Sequence, residues 1–394
     1  MSRPTVEVAD ILRAQGRRFL EHYRNRISFQ QLKVMRAIAR CRTAALGGHV
    51  DACSQCGYQA ISYNSCRNRH CPKCQTQARQ RWLAAREQEL LATSYFHVVF
   101  TLPQQLNALA AQNPRVLYNL LFATSAATLL EVAADPRHLG AQIGFCSVLH
   151  TWGQNLQHHP HVHCVIPAGG LAPDHSRWIR PCYPFFLPVK VLSRVFRGKF
   201  IAGLRRAFRR GDLRFGRELA ALGTPKHFAA FLRTLFRQDW VVYAKPAFGG
   251  PAQVLRYLGR YTHRVAISNH RLIAFDGARV TFRWKDYAHR SKQRKMTLST
   301  DEFLRRFLSH VLPRGFVRIR HFGLLANCHR ARLLPLCQQR LAMAPVVRSS
   351  ATTPTDRMAW CCPRCHGVMT VLHRLTATEL RLWHADLCMF FDTS

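Results

Sequence analysis

The segment HHPHVHC at 158–164 carries four imidazoles in seven residues and runs on into the apolar VIPAGGL. Side chains alternate faces along a strand, so His161 and His163 share one face while Val162 turns to the core. Two imidazoles so placed stand about 6–7 Å apart. They can hold one divalent ion and leave coordination positions for a substrate oxygen. A pair of structural histidines fits the same spacing, and HxH by itself does not separate the two. Further along, RYLGRYTHR at 256–264 sets Tyr257 and Tyr261 four apart. On a helix they share a face. That face lies between an apolar stripe of Leu255, Leu258, Thr262 and Val265 and a cationic stripe of Arg256, Arg260 and Arg264. Phenols there can meet a phosphate gathered by the arginines, although ordinary boundary tyrosines would look the same.

Fifteen cysteines form the second chemical signal. Cys53-Ser-Gln-Cys56 and Cys71-Pro-Lys-Cys74 are two CxxC knuckles, and this spacing predicts one closed four-thiolate zinc site. Cys41, His49, Cys66 and His70 offer ligands for a second site, or are simply its neighbours. Near the C-terminus Cys362 and Cys365 form half a knuckle, which His384 and Cys388 could complete. A closed tetrahedral site has no open position, so zinc here serves recognition and folding rather than chemistry.

These groups need a scaffold. The chain has 394 residues and 48% hydrophobic side chains, ample for a buried core. Helices are expected over 10–40, 76–93, 104–133, 188–210, 226–237 and 252–265, with strands over 95–103, 143–153, 161–170 and 240–248. Asp276-Gly277 marks the turn of a hairpin spanning 271–286. The segment FRWKDYAHRSKQRK (282–295) offers Trp284 and Tyr287 for base stacking. Arg283, Lys285, Arg290, Lys292, Arg294 and Lys295 supply cations for phosphates. A solvated basic hairpin is the alternative.

The net charge of +38, from 58 Lys and Arg against 20 Asp and Glu, is spread along the chain and points to a polyanionic partner, DNA first. No run of 18 apolar residues is present, so no membrane partner is expected. The N-terminus lacks an apolar leader, so a cytoplasmic location is expected. No phosphate-binding G-x-x-x-x-G-K-[ST] loop is found, so no nucleotide hydrolysis is expected.

HxH followed by YxxxY on a basic helix is the signature of HUH endonucleases. The chain resembles the insertion-sequence-91 type of rolling-circle transposases through NSCRNRHCPKCQ (64–75), YFHVVFTLP (95–103), VLHTWGQNLQHHPHVHCVIPAGGL (148–171), VLSRVFRGKF (191–200) and YLGRYTHRVAISNHRL (257–272). The resemblance spans most of 35–335.

It implies an α+β fold: an antiparallel-sheet HUH core of the ferredoxin or RRM-like palm type, preceded by a helical zinc-ribbon-like domain. The domains implied are 1–92 (zinc-binding, DNA recognition), 93–335 (catalytic) and 336–394 (linker and second knuckle). It also implies a bacterial, nucleoid-associated enzyme acting on single-stranded DNA. Tyr257 and Tyr261 would be nucleophiles, and Mg²⁺ or Mn²⁺ would sit on His161, His163 and a third polar ligand. Gln154 is the first candidate for that ligand, with His150 and His159 as alternatives. A replication initiator or relaxase of the same chemistry, or a non-catalytic zinc-ribbon DNA-binding protein, are the competing readings.

Overall fold

The computed structural model describes residues 4–87, 89–182, 186–246, 253, 259, 266–286, 289, 292–341 and 361–382. The chain is α+β, and the pairings among its named strands are antiparallel.

Two helices open it, α1 (Val8–Tyr23) and α2 (Phe29–Ala39). Ser28 and Gln31 close a reciprocal capping box at the start of α2, satisfying two otherwise orphaned N–H groups. Next come β1 (Gly48–Cys53), β2 (Gln59–Tyr63) and the helix α3 (Gln75–Glu87).

A five-stranded sheet follows. It is built from β3 (Tyr95–Thr101), β4 (Gly144–Trp152), β5 (His158–Pro167), β8 (Val242–Pro246) and β12 (Ile319–Gly323), in the order β12-β4-β5-β3-β8. A short ribbon of β6 (Gly170–Leu171) and β7 (Trp178–Ile179) lies between β5 and the next helix.

Phe96, Val98 and Phe100 of β3 and Val162, Cys164 and Ile166 of β5 face one side of the sheet. There they meet α5 (Pro114–Ala134) and α6 (Val189–Arg209). A short α4 (Asn107–Gln112) precedes α5, and α7 (Pro225–Phe236) follows α6. Phe100, Phe122, Phe196 and Phe200 are fully buried in this core. Each contributes about 1.5–3 kcal/mol of apolar burial. By length and composition α5 is apolar enough to cross a membrane. It is instead a core helix, with Leu117, Leu121, Phe122 and Leu129 packed inside.

A second core joins α1 and α2 to the sheet β11-β10-β9, formed by β9 (Leu272–Phe275), β10 (Arg279–Asp286) and β11 (Lys292–Ser299), and to the helix Thr300–Ser309. The expected hairpin forms. Asp276 Oδ1 accepts from the N–H groups of Ala278 and Arg279, and Gly277 supplies φ +91°. The turn between β4 and β5 inserts Leu156, fully buried, into this second core. The turn's backbone is also held from three sides. Arg271 donates to the Gln154 carbonyl, Arg306 to the Asn155 carbonyl and His310 to the Leu156 carbonyl. The β4–β5 hairpin therefore links the two cores.

After the helix Asn327–Arg340, the chain returns to its beginning. The strand β13 (Met369–Leu375) pairs with β1, giving a sheet ordered β13-β1-β2.

Candidate metal centre and nucleic-acid interface

The register of β4 on β5 sets His150 opposite His161 and Val148 opposite His163. Residues directly opposite share a face, so His150, His161 and His163 converge on the side away from the first core. Their ligand nitrogens lie within 4.8 Å of one another. A bulge between His150 and Trp152 lets the indole stack on the His150 ring at 4.5 Å, which fixes its plane.

His161 Nδ1 lies 2.7 Å from the His159 carbonyl. A carbonyl only accepts, so Nδ1 carries the proton and Nε2 keeps its lone pair. Burial pushes the His161 imidazole down to about 3 and holds His163 well below its ordinary value. Both rings are therefore neutral, as a metal ligand must be.

One neighbour was not anticipated. His97 of β3 faces the same way, and its Nε2 lies 2.8 Å from His163 Nδ1. Of the two remaining histidines of the segment, His158 has structural work, since its Nε2 lies 2.8 Å from the Tyr118 hydroxyl. Gln154, the first candidate for the third ligand, stands in the hairpin turn four residues beyond His150. The imidazole that joins the pair is His150.

Tyr257 and Tyr261 lie outside the described residues, as do Arg256, Arg260, Arg264 and Arg290. Gly259, between the two tyrosines in sequence, is described and buried. A Cβ there would meet Leu83 Cδ1 of α3 at 2.8 Å. The neighbouring Trp82 packs on Tyr95 and Val165. Those two residues stand two positions from His97 and His163 on the same strands, hence on the histidine face.

The thiols group differently from the expectation. Cys53, Cys56, Cys71 and Cys74 do not form one site. Cys71 and Cys74 join Cys41 and Cys66, whereas Cys53 and Cys56 face Cys362 and Cys365. In the first cluster the sulfurs stand 3.5 Å (Cys41–Cys74), 3.6 Å (Cys66–Cys74) and 3.7 Å (Cys41–Cys71) apart. A tetrahedron with Zn–S bonds of 2.3 Å sets sulfurs about 3.8 Å apart, whereas a disulfide needs about 2.0 Å. The set fits a closed zinc site.

Among the described residues, neither histidine of the expected second site joins a group of metal ligands. His49 lies against Asp51 at 3.4 Å. His70 holds Asn68 through Nδ1 and accepts from the Leu312 N–H through Nε2. His384 and Cys388 lie outside the described residues.

Alternation divides the basic hairpin. Arg283 and Lys285 of β10 point outward with Lys295, which is opposite Arg283 on β11. Trp284 and Lys292 belong to the other face, and half-buried Trp284 packs on the second core. The outward surface is cationic without an indole on it.

Residues 11–102 match the family described as transposase zinc-binding domain, and residues 144–332 the family described as putative transposase. Over 377 residues the chain is 54% identical to the putative transposase y4qJ of Sinorhizobium fredii, covering 93% of this chain and 94% of that one. Over 326 residues it is 29% identical to the transposase for insertion sequence element IS801 of Pseudomonas savastanoi pv. phaseolicola, covering 80% and 75%. No solved structure matches the chain. With a zinc-binding module, a matching central region and near full-length similarity to a transposase, the chain belongs to the insertion-sequence-91 family of transposases.

Proposed function

We propose that the chain cleaves and rejoins single-stranded DNA at the ends of an insertion element by HUH chemistry, with Tyr257 and Tyr261 as nucleophiles. The carrying observation is the convergence of His150, His161 and His163 on one sheet face. Support for bringing the tyrosines there comes from Gly259, buried against the helix that covers this face.

His150, His161 and His163 would hold one divalent ion, with His150 in the role expected of Gln154. Bound there, Mg²⁺ or Mn²⁺ would supply positive charge to neutralise a scissile phosphate and orient it for in-line attack. Imidazole donors favour Mn²⁺ over Mg²⁺.

A tyrosine hydroxyl, with an ordinary pKa of about 10, is a weak nucleophile until its target is positioned. Its oxygen bonds to phosphorus as the P–O3′ bond breaks. The phenol gives its proton to solvent and the leaving 3′-oxygen takes one up, so the departing strand ends in a 3′-OH with no net change in protons. The product is a 5′-phosphotyrosine, and attack by a 3′-OH reverses the step without ATP. The second tyrosine allows a second strand to be cut while the first remains attached. The outward Arg283, Lys285 and Lys295 would track the DNA backbone.

The test is incubation with labelled single-stranded element ends and Mn²⁺, followed by mass spectrometry of the tyrosine peptide. A DNA adduct is expected, lost in the Tyr257→Phe/Tyr261→Phe double variant with binding retained. Cutting by the double variant refutes the nucleophile assignment.

A further inference from the structure

The cluster of Cys53, Cys56, Cys362 and Cys365 joins segments more than 300 residues apart, and its second pair lies far beyond the matched zinc-binding region at 11–102. Its two halves are built alike. Cys53 N–H donates to the Tyr58 carbonyl and Cys362 N–H to the Gly367 carbonyl, five residues on in each case and at 2.8 Å in both. Gly57 N–H returns to the Cys53 carbonyl, as His366 N–H does to the Cys362 carbonyl. Gly57 and His366 both take positive φ, at +67° and +60°. The Gln55 and Arg364 N–H groups each point at the first sulfur of their knuckle at 3.4 Å. Across the pair, Cys53 and Cys365 sulfurs are 3.4 Å apart and Cys56 and Cys362 sulfurs 3.6 Å apart. Two equivalent turns thus present four sulfurs at the edge length of a metal tetrahedron, too far apart for disulfides.

We infer that this is a second structural Zn²⁺ site, completed by the C-terminal knuckle, and that the ion clasps residues 361–382 onto the N-terminal module. The four thiols would give up their protons to the solution on binding. The rest of the docked segment agrees with a clasp. β13 pairs with β1, Met369 packs beside Cys53 and Cys362, and Leu380 is fully buried. Removing the ion would leave β13 held only by its pairing with β1 and that limited apolar contact.

Zinc content of the full-length chain is the measurement, by plasma mass spectrometry. Two equivalents are expected, falling to one in Cys362→Ser/Cys365→Ser. Differential alkylation of the unaltered protein gives a second readout that does not depend on a variant folding. Cys56 and Cys365 are exposed, like Cys182 and Cys328. With zinc bound they should resist iodoacetamide while Cys182 and Cys328 react, and a chelator should abolish the difference. One equivalent in the unaltered chain, two in the variant, equal alkylation of all four thiols before chelation, or an iron chromophore in the purified protein would each overturn the inference.

Discussion

His97 Nε2 and His163 Nδ1 are 2.8 Å apart, with their rings nearly parallel at 5°. If His163 binds an ion through Nε2, its Nδ1 must carry the proton and donate to His97. His97 then holds the ligand's tautomer and plane, and burial, which pushes it down to about 4, keeps it neutral enough to accept. His97→Phe should lower Mn²⁺ affinity by about 10–100-fold. His97→Gln, which keeps an acceptor, should recover part of the loss. Mn²⁺ titration of cleavage, paired with direct binding by electron paramagnetic resonance, checks this. Equal affinity in the Phe variant would remove His97 from the site.

Burial also pushes His158 down to about 4 and His161 and His310 to about 3. Above about pH 6.5 these rings are neutral in both folded and unfolded chains. As pH falls from there toward 4, the unfolded chain takes up protons that the folded chain refuses, so stability drops. Each ring forfeits of order 3 kcal/mol by pH 4, and a few together rival the whole of a typical folding free energy of about 5–15 kcal/mol. The melting temperature should therefore begin to fall near pH 6.5, before carboxylates titrate. His158→Gln can keep a bond to Tyr118 and should flatten the fall. A level melting curve from pH 6.5 to 4.5 would contradict the burial argument.

The central strands were legible in the sequence because alternation survives there: Val162 faces the core and His161 and His163 do not. The third imidazole was harder to see. His150 lies in a strand buried on both faces, where alternation is silent, and only the register with β5 places it opposite His161. His97 was hidden for the same reason. The thiols misled because two CxxC pairs 14 residues apart read as one local ribbon, while their true partners are chosen by long-range pairing such as that of β13 with β1. β11 was missed because KQRKMTLS is largely polar, with only Met296 and Leu298 half-buried.

Phosphate contacts make DNA affinity depend on salt, with a slope of about −0.7 per contact for single strands. The outward trio Arg283, Lys285 and Lys295 shares one surface of β10 and β11. Replacing all three with Ala should reduce the magnitude of the slope by about 2. Trp284→Ala should instead lower the melting temperature, because the indole is packed on the second core. Fluorescence anisotropy across a salt series separates the two effects. An unchanged slope in the triple variant would move the DNA path elsewhere.

Leu156 combines full burial with φ +64°, a backbone region that costs a non-glycine residue about 1–2 kcal/mol. The strain is tolerated because its side chain plugs the second core while Arg271, Arg306 and His310 grip the turn. Leu156→Ala keeps the strain and loses the plug, so it should cost about 2–5 kcal/mol. Leu156→Gly loses the plug and relieves the strain, so it should be no worse than Ala, the reverse of the usual order. Because the same hairpin carries His150 and His161, both variants should slow adduct formation more than they weaken DNA binding. Denaturant midpoints and single-turnover rates test the two halves of this prediction. A Gly variant clearly less stable than Ala would show that the turn is not strained.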